Sequence, residues 1–436
     1  MNIVGWNNIT PQLAAFFAVL KRLPALSGTP FNLFVSGYPG TNKTEGMVEL
    51  ARYLDLTAAL VDSSTLDDVS ELAGQIDLRA NREDGESRLI EGDLLKRQVL
   101  VLDEFLNVRP HVLPQFRLML QGKLVLMAKE VEMSVRSIIG TGNLGAEMLE
   151  GDANVLDSPT ADRFAMVVTV PRLHEMSLSE QKAILAGDED SSFADSFRQA
   201  YEAIDAIYDA VESESGQKVT SYVLSLSRQL SDSPFAFEGR RAKLVRRFVI
   251  ATLALCKAEA HRDQNETLYE VVRDCLSYHQ LSGVDLDYVL LRMAHQEALL
   301  AMNGTLLEST IAEAPSLAEK IAIVVENLDA VTPDTKALVF GQVLDCDDIP
   351  LQLACTKLVH MPRFDGQPAE LIAMIDRIAY PFPAGGVRFE QLAEMSGASQ
   401  VELIAFEIAN GSREETAKLM SGVHAYLNQW GVDQTL

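Results

Sequence analysis

The stretch Gly37-Tyr38-Pro39-Gly40-Thr41-Asn42-Lys43-Thr44 constrains this chain more than any other. It follows an apolar, strand-like run, Phe31 to Ser36, and leads into an amphipathic segment, Glu45 to Leu54. Strand, glycine-bearing turn and helix in succession are the context that a phosphate-binding loop requires. Gly37 and Gly40 let the backbone turn tightly and bring its N–H groups against phosphate oxygens. The start of the helix adds its own unpaired N–H groups and a positive dipole end. Lys43 supplies a point charge for the outer phosphates, and the Thr44 hydroxyl is a ligand for Mg²⁺. Asn42 stands where the pattern G-x-x-x-x-G-K-[ST] has its second glycine. Asparagine is the non-glycine residue that best tolerates left-handed geometry, so the loop is expected to survive the exchange. Taken alone, the stretch also fits a Gly-Pro-Gly turn ahead of a helix with an exposed lysine. The remainder of the chain separates the two readings.

A chain of 436 residues is too long for one ordinary core, which predicts two or three domains. With 47% hydrophobic and 23% charged residues it has a globular composition. The balance of 37 basic against 62 acidic residues leaves a net charge of −25, which repels a polyanionic backbone and disfavours a protein that coats nucleic acid. Met1 to Trp6 has neither the basic flank nor the apolar core of a signal peptide, and no run approaches the roughly 18 apolar residues that span a bilayer. The four cysteines, Cys256, Cys275, Cys346 and Cys355, lack C-x-x-C spacing and read as reduced core residues, so a cytoplasmic location is expected. The histidines form no metal-binding pattern.

In chain order, residues 8–23 predict an amphipathic helix with Thr10 as cap and Leu13, Phe16, Phe17 and Leu20 on one face. Ala58 to Asp62 reads as a second buried strand. Asp67 to Leu72 has the pattern of a short helix, and Ile76 to Arg79 with Ser87 to Ile90 that of a small hairpin. Val99-Leu100-Val101-Leu102-Asp103-Glu104 is what a central parallel strand buried on both faces looks like, with two carboxylates at the end where ligands bind in open α/β sheets. Asp103 would hold the Mg²⁺ shell, and Glu104 would orient and deprotonate the attacking water. A helix over Val112 to Leu120 and a second hairpin follow, Lys123 to Met127 and Val131 to Val135, turning at Ala128-Lys129-Glu130. A strand over Ser137 to Gly140 then ends in Thr141-Gly142-Asn143, whose amide can reach a terminal phosphate. Asp162-Arg163-Phe164 precedes a strand over Ala165 to Val170, and residues 178–300 read as helices throughout.

These motifs, in this order, resemble the AAA+ ATPases and within them the MoxR-like group, over roughly residues 8–300. Val99 to Glu104 resembles the Walker B strand, and Thr141-Gly142-Asn143 the first sensor. Asp162-Arg163-Phe164 resembles the family's D-R-F segment, which implies that Arg163 is an arginine finger acting on a neighbouring subunit's nucleotide. Gly239-Arg240-Arg241-Ala242 resembles the S-P-R-A segment of the lid, which implies Arg241 as second sensor, with Arg240 as the alternative. Residues 65–97 resemble the clade's helix-two insert, and 123–135 its hairpin before the first sensor. One departure is Phe105-Leu106-Asn107-Val108-Arg109, which lacks the usual I-N-R.

The resemblance implies an α/β P-loop AAA+ domain over 1–172, a helical lid over 173–305 and an all-α C-terminal domain over 306–436. The implied cofactors are ATP and Mg²⁺. Nucleotide contacts are expected from Gly37, Tyr38, Pro39, Gly40, Thr41, Asn42, Lys43, Thr44, Glu45 and Asp103, with Thr44 and Asp103 on the metal. Glu104, Asn143, Arg163 and Arg241 are the expected catalytic residues. The implied assembly is a ring of six that remodels or loads a client or adaptor protein, possible partners including one with a von Willebrand A-type domain. The alternatives are a nucleic-acid motor or loader on the same core, and a nucleotide-gated scaffold with little hydrolysis. Phe389 to Gly397 carries a faint helix-turn-helix pattern, but few lysines or arginines accompany it.

Overall fold

A computed structural model describes residues 3–23, 30–69, 72, 74–76, 89–91, 94–126, 129–131, 133–143, 155–186, 192–344, 346–358, 405, 408–409 and 412–432. The chain divides into two compact units, Met1–His295 and Gln296–Leu436.

In the first unit α1 (Thr10–Arg22) is followed by β1 (Asn32–Ser36), α2 (Lys43–Tyr53) and β2 (Ala58–Asp62). Next come the short strands β3 (Gly74–Ile76) and β4 (Leu89–Glu91), then β5 (Val99–Asp103) and α3 (Leu113–Met119). A second short pair, β6 (Leu124–Leu126) and β7 (Lys129–Val131), precedes β8 (Ser137–Gly142), α4 (Ser158–Ala161) and β9 (Phe164–Thr169). Helices follow: α5 (Leu178–Ala186), α6 (Ser192–Gln229), α7 (Gly239–Ala258), α8 (Gln264–Leu276), α9 (Tyr278–Leu281) and α10 (Tyr288–Asn303), within which the chain divides.

Five strands form one parallel sheet in the order β2-β5-β8-β1-β9. Val99 to Leu102 of β5 and Ile138-Ile139 of β8 are fully buried, as central parallel strands covered on both faces must be. The chain leaves β1 toward β2 on one side and later returns to β9 on the other. Open α/β sheets bind ligands outside the C-terminal strand ends at such a reversal. This strand order, with a glycine-bearing loop between β1 and α2 and helices after the sheet, is an open parallel α/β fold of the P-loop type with helical regions behind it.

Three expectations need correction. Among the described residues β2 is an edge strand with a single neighbour, and Leu60 is 50% exposed where a buried strand was expected. Thr10 is not the cap of α1: Ile9 holds that position, and every residue from Thr10 to Leu20 is buried. The helix has no solvated face over that stretch because other elements cover it. Phe17 meets Phe197 of α6 edge-on at 6.2 Å, and Phe16 stacks on Phe31 at 4.8 Å. Phe31 in turn stacks on Phe248 of α7 at 5.6 Å. The second hairpin pairs Leu126 with Lys129, so its second strand begins where the sequence pattern suggested a turn. The first hairpin pairs Gly74–Ile76 with Leu89–Glu91, and its turn lies outside the described residues; of the helix expected over Asp67 to Leu72, Asp67 to Val69 are not helical, Leu72 is, and residues 70–71 lie outside the described residues.

The second unit is helical where described: α11 (Leu306–Glu313), α12 (Leu317–Glu326), α13 (Pro333–Leu344), α14 (Ile349–Leu358) and α15 (Arg413–Gln429). Ile321, Val324, Phe340, Leu353, Val423 and Leu427 make its core. Ser412 caps α15, its side chain accepting the Glu415 N–H. Lys320 and Glu297 form a buried ion pair at 2.7 Å, with Gln342 donating to the same carboxylate. The segment Phe389 to Gly397 lies outside the described residues. Among the described residues no helix is long and apolar enough to cross a membrane.

His295 of α10 makes the stability of the first unit depend on pH. Its Nε2 lies 3.2 Å from the Asn265 carbonyl and its Nδ1 2.7 Å from the Tyr222 hydroxyl, a pattern that satisfies a neutral ring with Nε2 protonated. Burial, aided by the Arg292 guanidinium, holds its pKa down to about 4 although the Asn265 carbonyl opposes the shift. Between pH 6.5 and 4 the unfolded chain therefore takes up a proton that the folded one refuses. Stability present above pH 6.5 is lost as pH falls through that window, by up to about 3 kcal/mol. His279 is lowered to about 4 as well, by burial and the neighbouring Arg241. Urea unfolding of His295→Gln between pH 6.5 and 4 should show about half the histidine-dependent slope of the parent. Identical slopes would remove His295 from this account.

Candidate active site

The loop between β1 and α2 is built as the motif requires. Gly40 has φ of +79°, in the region that favours glycine. At Gly37 space decides: a Cβ would lie 3.1 Å from both Thr41 Oγ1 and Val170 Cβ. Asn42 has φ 52° and ψ 28°, the left-handed conformation, so the departure from glycine keeps the glycine-like backbone. Lys43 folds over the loop. Its Nζ donates to the Gly37 and Tyr38 carbonyls at 2.7 and 2.9 Å and to Asn143 Oδ1 at 3.1 Å.

The acidic end of β5 meets this loop because β5 and β1 flank β8 in the same parallel direction. One oxygen of Asp103 accepts from Thr44 Oγ1 and Thr141 Oγ1, each at 2.6 Å, and from the Glu104 N–H at 3.0 Å. Glu104 itself is held at φ 51°, ψ 40°. A left-handed glutamate costs about 1 kcal/mol, and such strain collects where a side chain must be aimed. Asn107 Nδ2 donates to Glu104 Oε2 at 3.3 Å. A cleft of about 430 Å³ runs across Gly40 to Glu45, Asp103, Glu104 and Asn143, a size that suits a small-molecule ligand. Thr44 and Asp103 present hard oxygen donors side by side, the set that Mg²⁺ prefers, and the glycine-lined loop admits close approach of a phosphate to the backbone. These residues fit a magnesium-bound polyphosphate.

Arg163 lies elsewhere. It immediately precedes β9, whose first residue Phe164 pairs with Asn32 at the start of β1, whereas the phosphate-type loop follows Ser36 at the other end. About 13 Å of strand separates the two levels, more than an arginine side chain spans. Its Nε and Nη2 face the Gln121 side-chain oxygen at 3.2 Å once that amide is turned to satisfy both partners. The structure also fails to bring Arg241 to its own loop. Its guanidinium is 2% exposed, sits over the Tyr278 ring at 3.9 Å, and bonds around the start of β9. This departs from the expectation of a second sensor reaching the nucleotide, because both terminal nitrogens of the fork are engaged inside the fold at that end of the sheet. Arg240 is 44% exposed on its side chain and pairs with Asp162 at the same end of the sheet. Arg109, a few residues past β5, is paired with Asp67.

Two contributors escaped the sequence reading. Arg172, just past β9, lies over the Tyr38 ring at 4.0 Å and bonds its hydroxyl, which puts a cation against the loop. Asn32, fully buried, ties the far end together: its Nδ2 donates to the Leu120 and Arg163 carbonyls, and its Oδ1 accepts from the Ile138 N–H. Only strand adjacency reveals either role, although the polar Asn32 inside an apolar strand was a visible anomaly.

No family model and no curated protein matches the chain. Among solved structures it is similar to an inferred ATPase from Cytophaga hutchinsonii, with a TM-score of 0.45 and 13% identity over 68% of this chain and 90% of that one. It is also similar to a full-length MCM homolog from Methanopyrus kandleri, with a TM-score of 0.33 and 14% identity over 63% of this chain and 55% of that one. Both scores fall below 0.5, and the fold assignment stands on the strand order and loop described above.

Position 42 tests the loop geometry directly. Glycine there should leave the affinity for a fluorescent ATP analogue within about twofold, since it adopts φ 52° freely. Alanine should weaken it about fivefold, because its Cβ meets about 1 kcal/mol of left-handed strain without asparagine's local hydrogen bonding. Equal affinities for the two variants would contradict the assigned conformation.

Proposed function

We propose that this protein is an AAA+ ATPase of the MoxR type, which hydrolyses ATP within a ring of identical subunits and uses the turnover to remodel or load a partner protein. The observation that carries the chemistry is the convergence of Lys43, Thr44, Asp103, Glu104 and Asn143 on one cleft. Lys43 would exchange its loop carbonyls for phosphate oxygens, and Thr44 with Asp103 would hold the metal. Mg²⁺, when bound, neutralises phosphate charge. Glu104, aimed by its unusual backbone and by Asn107, would take a proton from the attacking water. Asn143 accepts from Lys43 and would reach the terminal phosphate.

Support for the ring is the position of Arg163. A cation at the N-terminal end of β9 cannot serve the site at the C-terminal ends of the same sheet, but it can serve a neighbour whose cleft faces that end. Exposed Arg240 would accompany it. The MoxR-like motifs support a protein client, and the four free cysteines a cytoplasmic setting. The net charge of −25 favours this reading over a nucleic-acid motor.

Glu104→Gln should bind ATP normally yet turn it over about 10²–10⁴ times more slowly. Wild-type turnover in that variant would rule Glu104 out as the base. Arg163→Ala should keep nucleotide affinity while turnover falls about 10³–10⁵-fold. Mixing Arg163→Ala subunits with Glu104→Gln subunits should restore ATPase activity that neither shows alone, because some boundaries then combine an intact base with an intact finger. Confirmed mixed rings without restored activity would sink the trans assignment.

A further inference from the structure

Arg241 bonds to the backbone on both sides of Arg163. Its Nη2 donates to the Asp162 carbonyl at 2.9 Å, the Asp162 carboxylate at 3.0 Å and the Phe164 carbonyl at 2.8 Å. Its Nη1 donates to the Ala165 carbonyl at 2.8 Å and the Cys275 carbonyl at 3.2 Å. The Ala165 acceptor exists because the β1–β9 register slips there: Asn32 pairs with Phe164 but Leu33 with Met166. A bulge leaves backbone groups without ladder partners, and buried carbonyls demand donors from elsewhere. From the opposite side, Asn32 Nδ2 holds the carbonyl of Arg163 itself at 3.1 Å. The main chain at 162–165 is therefore fixed by a helical-region arginine on one flank and a sheet asparagine on the other, while the Arg163 side chain points away to Gln121.

We infer that Arg241 is a positioning residue for Arg163: it sets the register and direction of the finger from α7, and so ties the helical region to catalysis at the neighbour's site rather than at its own. The inference rests on the trans reading of Arg163 given above. Its chemistry is a matter of geometry. The guanidinium fork satisfies several carbonyls whose directions a lysine cannot match, and it is flattened against Tyr278, which sits beside Cys275 and Ser277 at the junction of α8 and α9. A misplacement of about 1 Å at a transition-state cation can lower a rate about 10²-fold.

The test uses full-length chains and three readouts. Arg241→Lys should leave ATP affinity and KM within about twofold and lower kcat about 10²-fold. The double variant Arg163→Ala/Arg241→Lys should be no slower than Arg163→Ala alone, since a positioned group cannot be lost twice. Mixing Arg241→Lys with Glu104→Gln subunits should restore activity as mixing with Arg163→Ala does, because the defect would lie in the finger given to the neighbour. A residue that sensed its own nucleotide, or merely held its own site together, would give no such rescue. Should Arg241→Lys fail to fold, Asp162→Asn removes the charge from one partner of the clasp, which Arg240 shares, and leaves the buried arginine its carbonyls. It should then show a smaller, about tenfold, fall in kcat with the same rescue. Wild-type kcat in the folded variants, an additive double variant, or absence of rescue where Arg163→Ala mixtures recover would each overturn the inference. If Arg163→Ala mixtures do not recover either, the failure belongs to the trans reading instead.

Discussion

The parallel pairing of β1 with β8 on one side and β9 on the other is the constraint on which both ends of this molecule depend. Because all three strands run the same way, their C-terminal ends lie level and their N-terminal ends lie level. The loop after Ser36 thereby meets Asn143 just past β8, and the acids of β5 one strand further out. The same pairing sends Arg163 to the opposite edge. One sheet thus separates a cleft that can hold a polyphosphate from a cation that cannot reach it.

The two edges are stabilised by different chemistry. At the cleft, a single carboxylate oxygen of Asp103 gathers two threonine hydroxyls and a backbone N–H, so loop, strand and neighbouring strand share one acceptor. Charge-assisted bonds of this kind are short and directional, and they hold Thr44 where a metal ligand is wanted. At the far edge the acceptors are backbone carbonyls and the donors are buried side chains, Arg241 and Asn32. Buried polar groups need partners, and here that need fastens α7 to the sheet. Left-handed backbone at Asn42 and Glu104 marks the cleft as the place where local strain is tolerated; the remaining non-glycine example among the described residues is Asp55, just beyond α2.

Much of the sheet could be read from the chain because apolar β-formers end in characteristic residues. Val99 to Leu102 before Asp103, and Ile138-Ile139 before Thr141, declare buried strands whose polar ends meet beside the cleft. The left-handed turn at Asn42 was foreseeable from the tolerance of asparagine for that geometry, and the structure has it. What failed were statements about surroundings. α1 looked amphipathic, yet every residue from Thr10 to Leu20 is buried, those of the expected polar face included. β2 looked interior from its composition, but among the described residues the sheet ends there. Periodicity reports which residues prefer burial; it does not report how many neighbours arrive.

The sequence by itself determined the order of the elements, the loop before α2, and the identity of the acids and amide that could meet it, because these follow from local backbone preferences and from short-range spacing. Only the tertiary structure decided which strands are neighbours, and therefore that Arg172 lies against Tyr38 while Arg241 turns away from the loop to grip the start of β9. Arg240 and Arg241 are adjacent in the chain and alike in chemistry, so nothing local distinguishes them. Helix geometry points one outward and the other inward, and a bulge far away in sequence supplies the carbonyls that the buried one must satisfy.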